Sequence, residues 1–492
     1  MKSIKVNLWG RELGRLQWDN RYQTYIFMFN PAYDDHPDVA PLLHPKGKFS
    51  IHEPVYSDDR RIYQNLPPFI ADSLPDSWGN KLFDTWVKKN RIPQNKISPL
   101  YKLTFIGKRG MGALEFEPAA EEIGHSHKID IQNLYRLSQD VLNDRTLVHL
   151  DAGTDITLQS LLSVGTSAGG RQAKAIVAIN HENGEIRSGQ ISDFEGFDYY
   201  IIKFEDELVP TTEIEMAFYH MARAAGIIMM PCDIMEVNGV KHFITQRFDR
   251  QGTQKIFTQT LAAINPEVYS YEGLFDTMRR LNLSETEIEQ MYSRMVFNIM
   301  ANNTDDHNKN FSFMLEKEGK WKLAPAYDLT FIFDVHGHDN QKHRCMSIYG
   351  KTTDIAKEDL LFMAKQLSIR NPDKIITRVA DSLKLFEELS NKYEIPERWS
   401  DIISRTLRDN LIAFGYEEKR LSDFTDPKGR KFRNVTVHAN RKGIFEIEAM
   451  VDGKNDRRFA KPGTQPYQKI HRYLTGKITG ADAIRLFESL FS

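Results

Sequence analysis

The sequence predicts an α+β chain of two lobes, with a small mixed α/β unit ahead of them and a basic α+β extension behind. Three observations carry that prediction. The 492 residues, 41% of them apolar, exceed what one core needs, so three or four domains or subdomains are expected. Strand-like alternation governs some stretches and helical periodicity others, a segregation that suits α+β architecture. An irregular polar segment, Asn302 to Asn310, interrupts the helical half between an apolar helix-like run and a strand-like one.

Residues 1–120 open with alternation in Ile4-Lys5-Val6-Asn7-Leu8, place Gly10 and Gly14 at turns, and carry the amphipathic stretch Trp78–Lys89. Residues 121–255 hold a loop of small residues, a strand over Ala175–Ile179 and an apolar strand Asp198–Phe204 with Lys203 at its end. Helical spacing then runs from Thr211 to Gly226 through Ile214, Phe218, Met221, Ala222 and Ala225, with Thr211 or Thr212 as N-cap and Gly226 as the stop. Residues 256–425 are mostly helical, as in Glu285–Asn302 and Asp373–Leu389. Residues 426–492 read as strands Phe432–His438 and Ile444–Val451 with hairpin signals at Asn440–Gly443 and Asp452-Gly453, followed by a short helix and Ala481–Phe491.

The polar segment carries the chemistry. In phosphoryl transfer one Asp accepts the proton of the attacking hydroxyl, an Asn five residues on holds Mg²⁺, and a later Asp holds the Mg²⁺ that bridges the nucleotide phosphates. Asp305, Asn310 and Asp328 stand in that order, five and then eighteen residues apart. Hard Mg²⁺ prefers such carboxylate and amide oxygens. Asp306 is a second candidate for the base, but only Asp305 keeps the five-residue step, and His307 is read as organising the loop. Lys203 at a strand end would reach the phosphates, and Glu213 or Glu215 on the following helix would pair with it. These parts together imply a two-lobed, protein-kinase-like fold.

Three motifs now resemble a known family. Ser167-Ala168-Gly169-Gly170-Arg171-Gln172-Ala173-Lys174, Gln246-Arg247-Phe248-Asp249-Arg250, and Thr304–Asn310 with Tyr327-Asp328 behind it are similar to those of the HipA family, bacterial serine/threonine kinases that are the toxin halves of toxin–antitoxin operons. Leu66–Asp76 and Phe105–Gly107 to Gly112–Leu114 also look like that family, and the resemblance covers roughly residues 1–420. It implies ATP and Mg²⁺ as cofactors. It places Ser167 on a loop over the ATP phosphates as the autophosphorylation site, with Gly169 and Gly170 allowing close backbone approach. Lys174 and Lys203 would contact phosphates, Gln246 and Phe248 would frame the adenine, Asp249 would lie near the ribose, Asp305 would be the base, and Asn310 with Asp328 would ligate the metal. The implied partners are a helix-turn-helix antitoxin, HipB-like, through which DNA is reached, and an aminoacyl-tRNA synthetase as protein substrate. The competing class is a regulator that keeps the fold and acts only by binding the antitoxin and operator DNA. A third, phosphorylation of a small molecule by the same centre, ranks lower. The intact Lys203, Asp305, Asn310 and Asp328 set favours the enzyme.

A net charge of −2 supplies no general reason to bind nucleic acid or acidic membranes. Two cysteines, Cys232 and Cys345, cannot build a disulfide framework and are expected as reduced, buried thiols, which suits a cytoplasmic protein. The start of the chain lacks a signal-peptide core and no apolar run approaches eighteen residues, so no membrane partner is expected. The charge is unevenly spread: residues 428–492 hold 14 Lys or Arg against 6 Asp or Glu, net +8, which leaves −10 for residues 1–427. That unit either contacts nucleic acid or an acidic partner, with Phe432, Phe445, Tyr467 and Tyr473 available for stacking, or docks onto the acidic body and keeps it soluble.

Overall fold

The structure, a computed structural model, describes residues 3–46, 53–56, 63–119, 129–142, 172–189, 195–333, 343–439, 444–474, 478 and 480–491. Alternating apolar residues at the start form an antiparallel sheet of β1 (Ser3–Leu8), β2 (Arg11–Asp19), β3 (Thr24–Phe29), β4 (Val55–Tyr56) and β5 (Leu114–Glu117), in the order β4-β3-β2-β1-β5. Gly10 makes the first turn at φ +78°. Gly14, expected at a turn, lies instead inside β2 opposite Phe29. A Cβ there would fall 2.2 Å from the Met28 carbonyl oxygen and 2.5 Å from the Phe27 ring, so the glycine serves close strand approach.

Helix α1 (Ser77–Lys89), capped by the Asp76 carboxylate on the Gly79 N–H, buries Trp78, Leu82, Phe83, Trp86 and Val87. With α2 (Pro99–Ile106) and α3 (Ile131–Leu142) it packs on a second sheet of β6 (Lys174–Ile179), β7 (Ile186–Ser188), β8 (Asp198–Lys203), β9 (Cys232–Val237) and β10 (Val240–Gln246), ordered β7-β6-β8-β10-β9. The nucleotide lobe therefore takes part of its core from the first hundred residues: Trp78, Phe83 and Trp86 share one apolar cluster with Val177, Ile202 and Ile244.

Helix α4 (Thr211–Ala224) follows β8 and ends before Gly226 at φ +81°. Neither Thr211 nor Thr212 is its N-cap. Pro210 holds that position without a side-chain cap, both threonines are already helical, and their N–H groups go to the Glu205 carboxylate at 2.9 and 3.1 Å.

The second lobe begins with β11 (Phe257–Thr260) and helices α5 (Tyr271–Arg280) and α6 (Glu285–Met300). A reciprocal Ser284–Glu287 box opens α6. Strands β12 (Ser312–Leu315) and β13 (Trp321–Leu323) complete a small sheet with β11. Helices α7 (Lys357–Leu367), α8 (Pro372–Leu383) and α10 (Glu397–Ala413) pack against α6, and the short α9 (Phe386–Lys392) packs between α4 and α10. The single helix expected over Asp373–Leu389 is thus two, separated at Lys384-Leu385.

Short strands β14 (Lys419–Arg420) and β15 (Phe424–Thr425) pair with β16 (Lys431–Ala439), which continues through β17 (Phe445–Val451) and β18 (Lys454–Ala460). Helices α11 (Gln465–Leu474) and α12 (Gly480–Leu490) cover this sheet. The turn at Asp452-Gly453 is present, with both residues at positive φ. The unit shares its core with the helical lobe: Phe432, Phe445, Ile447 and Ile470 belong to the same apolar cluster as Ile403, Leu407 and Leu411 of α10. Lys419 bonds Asp409 at 2.9 Å and the Tyr467 hydroxyl donates to Glu358 at 3.2 Å. Phe432, Phe445 and Tyr467 are buried and Tyr473 packs edge-on against Phe487, so the first three have no face for base stacking. Arg430 is spent on Asp426, Arg457 on Glu448 and Arg458 on Asp456.

Both cysteines are free thiols. The expectation of burial fails for both: Cys232 is only half-buried, and Cys345 is exposed, with its sulfur 3.8 Å from Asp305. Among the described residues no helix is long and apolar enough to cross a membrane.

Candidate active site

The site forms where the two lobes face each other. Lys174 and Lys203 are direct cross-strand partners on β6 and β8, so the pleat turns both side chains to one face. The Lys203 ammonium donates to Glu215 of α4 and to Asp328 of the second lobe. Burial alone would lower its pKa, but Asp328 and Glu215 outweigh burial and hold it above the ordinary value. Burial likewise works to raise Asp328, yet Lys203 and then Lys174 bring it down to about 2, so it is ionised. Lys174, fully enclosed, is pushed down by burial. Glu215 rather than Glu213 reaches Lys203; Glu213 points to Lys241 at 3.6 Å.

The polar segment separates its two adjacent aspartates by environment. Asp306 is sealed. Its Oδ2 accepts from the Tyr271 hydroxyl at 2.7 Å and Arg344 at 2.9 Å, and its Oδ1 accepts from the Cys345 and Met346 N–H groups at 3.0 and 3.2 Å. It has no face for a substrate. The Asp305 side chain is 57% exposed, with its Oδ1 3.9 Å from His307 Nε2. The Asn310 amide donates to the Asp305 carbonyl at 2.8 Å and braces the turn. The His307 ring accepts from the Lys309 N–H at 3.2 Å, a loop-organising contact. Asp328 sits at φ +53°, a strained conformation for a residue other than glycine, with its carbonyl accepting from Asn303 at 3.3 Å. Asn310 and Asp328 line one pocket, together with Arg294, Asn298, Asn303 and Tyr327.

On the linker between lobes, Gln246 ends β10 with its N–H on the Pro231 carbonyl, and Phe248 stacks on Tyr327 with ring centroids 5.8 Å apart. Asp249 departs from its expected place near a ribose. It is wholly buried, bonded by Arg247 at 2.7 and 2.8 Å, by Arg250 at 2.8 Å and by the Gly112 N–H at 2.7 Å. Burial works against its charge, but the two guanidinium groups keep it well below the usual carboxylate range. Because Gly110 and Gly112 come from the first unit and Gly189 accepts from Arg247, this cluster ties three segments together. Ser167, Gly169 and Gly170 lie outside the described residues.

Among the described residues no group of three or more His, Cys, Asp or Glu gathers as a metal cage. Mg²⁺, where a protein holds it, takes one or two hard oxygen donors beside waters and substrate phosphates. An ionised Asp328 next to the Asn310 amide, with two lysines behind it, is a donor set of that kind. Sequence reasoning did not find Glu205, Gln172, Tyr271 or Arg344, whose partners lie from 35 to 46 residues away or depend on where a strand and a helix meet.

Residues 4–117 match the family described as HipA N-terminal domain and residues 166–387 that described as HipA-like C-terminal domain. The chain belongs to the HipA family. A protein of Sinorhizobium fredii (strain NBRC 101917 / NGR234) named "Putative kinase Y4mE" is 26% identical over 424 residues, covering 79% of this chain and 93% of that one. A Haemophilus influenzae protein named "Putative kinase" is 26% identical over 200 residues, 36% of this chain and 56% of its own length. In solved structures the fold is similar to HipA in the Shewanella oneidensis MR-1 complex of HipA, HipB and operator DNA, with a TM-score of 0.56 and 16% identity over 83% of this chain and 96% of that one. The architecture is accordingly the two-lobed, kinase-like α+β fold, and residues 388–492 lie beyond both family matches.

Proposed function

We propose that this chain is a Mg·ATP-dependent protein serine/threonine kinase, the toxin of a toxin–antitoxin pair. The observation that carries the reading is the Lys203–Glu215–Asp328 cluster, assembled from three elements, with the exposed Asp305 carboxylate close enough to Asp328 for their charges to interact. Bound Mg²⁺ would supply charge neutralisation for the phosphates, and Asp328 and Asn310 would hold it. Lys203 and Lys174 orient the nucleotide phosphates, and Glu215 keeps Lys203 aimed. Asp305 accepts the proton of the substrate hydroxyl as its oxygen bonds to the γ-phosphorus, while the bond from that phosphorus to the β,γ-bridging oxygen breaks and ADP leaves. Gln246 and Phe248 frame the adenine.

The substrate class follows from the family resemblance: an aminoacyl-tRNA synthetase, whose phosphorylation would stall translation in the cytoplasm. Ser167 is the autophosphorylation site in this reading, where about −1.5 to −2 charges would repel the loop from the ATP phosphates. The Shewanella relative is a complex with HipB and operator DNA; a HipB-like helix-turn-helix antitoxin is the corresponding partner here, and DNA is reached through it. The test is transfer from radiolabelled ATP by the purified protein, with peptide mapping of the product. Phosphate on Ser167 that is absent from Lys203→Met supports the reading. No transfer to itself or to any synthetase, by a protein that still binds a helix-turn-helix antitoxin, favours the purely regulatory class.

A further inference from the structure

Two polar side chains that the phosphoryl-transfer reading does not use meet at the first turn of α4. Glu205, two residues beyond Lys203, sends one carboxylate oxygen to the Thr211 N–H at 2.9 Å and the other to the Thr212 N–H at 3.1 Å. Gln172, two residues before Lys174, donates its amide to the Phe204 carbonyl at 2.9 Å and to the Thr211 hydroxyl at 3.1 Å. Further bonds fasten the same corner: the Phe204 N–H reaches the Ala173 carbonyl, and the Thr212 hydroxyl reaches the Lys241 carbonyl at 3.3 Å.

The first N–H groups of a helix have no partner within it, and a cap normally comes from the residue just before. Here that residue is Pro210, which offers no side-chain acceptor. The cap comes instead from the chain leaving β8. A closed circuit results: Lys203 leads through Phe204 to Glu205, Glu205 holds the start of α4, and four residues along that helix from Thr211 Glu215 bonds back to Lys203. Strand and helix are thus locked together by contacts separate from the ion pair.

We propose that Glu205, seconded by Gln172, is a positioning residue that fixes α4 against β8 so that Glu215 reaches Lys203 and the phosphate-binding lysine stays aimed. This rests on the reading of Lys203 as a nucleotide ligand. A plain capping role and a positioning role are separable, because Pro210→Ser can supply an ordinary N-cap on the helix without restoring the tie to β8.

The experiment compares the full-length wild type with Glu205→Ala and with Glu205→Ala combined with Pro210→Ser, by thermal melting, by Mg·ATP binding, and by acylation of Lys203 with an amine-reactive ester followed by peptide mapping. Expected for Glu205→Ala are a lower Tm, Mg·ATP binding weaker by about two- to thirtyfold, the fold-change that corresponds to losing a helix cap, and faster Lys203 labelling. In the double variant Tm should recover while affinity and labelling should not. Recovery of all three, or a Glu205→Ala variant altered in Tm alone, overturns the proposal. If the alanine variant does not fold, Glu205→Gln, which keeps one acceptor oxygen, carries the same comparison. A wild type that binds no Mg·ATP would defeat the kinase reading, and the labelling of Lys203 would still decide this one.

Discussion

Two clusters of buried charge lie within the same lobe region and do opposite things. Around Asp249, the side chains of Arg247, Asp249 and Arg250 are 0–1% exposed and Asp249 is bonded on both oxygens from within the chain. Around Lys203, the same kind of pairing leaves Asp328 with 32% of its side chain exposed. The carboxylate that burial and neighbours perturb further is the sealed one, Asp249, so perturbation alone would have pointed to the wrong place. What distinguishes a site is a charged group whose bonding capacity the chain has not used up and whose open face looks onto a reactive neighbour. Asp305 and Asp306 repeat the lesson one residue apart.

The largest effect expected on the open side comes from Asp305→Asn, which on the proposed mechanism removes the proton acceptor and should cost roughly 10²–10⁴-fold in phosphoryl transfer. Because Asp305 is exposed, Tm and Mg·ATP binding should stay near wild type. Transfer of labelled phosphate at an undiminished rate would remove Asp305 from the role of base.

On the sealed side Asp249→Asn should do the reverse. Taking the charge from a buried cluster leaves two guanidinium groups uncompensated, at a cost of about 3–5 kcal/mol. Denaturant titration should show the loss, while the folded fraction still transfers phosphate. Unchanged stability would erase the contrast between the clusters.

Acid sharpens it in a third way. A carboxylate whose folded pKa lies near 2 rather than 3.8 adds stability above pH 4 that is lost as the pH falls towards 2. For Asp328 a shift of this size amounts to about 2 kcal/mol at most. Asp328→Asn should therefore flatten the dependence of unfolding free energy on pH between 5 and 3, and a slope identical to wild type would contradict the pairing with Lys203.

The smallest effect is reserved for exposed charge. Arg457, whose side chain is 54% exposed beside Glu448, should cost less than about 1 kcal/mol on replacement by Gln, since surface pairs are screened and conformationally expensive to order. A larger loss by the same denaturant titration would mean that the carboxy-terminal basic residues hold structure rather than surface.

Some of this was legible in the residues alone. The steps from Asp305 to Asn310 to Asp328, the strand ending on Lys203, the helix ending at Gly226 and the carboxy-terminal hairpin are short-range patterns, and the structure carries each of those elements. Glu213 and Glu215 could not be told apart, because two residues on a helix point to nearly opposite sides and only the rotation of α4 against β8 says which faces Lys203. Asp249 was misread because Arg-Phe-Asp-Arg looks the same whether its carboxylate meets a ligand or the backbone of Gly112, 137 residues earlier. Gly14 was misread because a glycine needed for close strand approach resembles one needed for a turn.

The sequence by itself determined the family and the local order of Asp305, Asn310 and Asp328, since the chemistry proposed for them calls for particular side chains at spacings that a single stretch of chain records. Only the tertiary structure decided which charges serve it. Lys203 and Asp328 are 125 residues apart and meet through the packing of two lobes. Whether a carboxylate ends sealed or open depends on how many donors that packing brings to it, a sum over distant segments that no local pattern records.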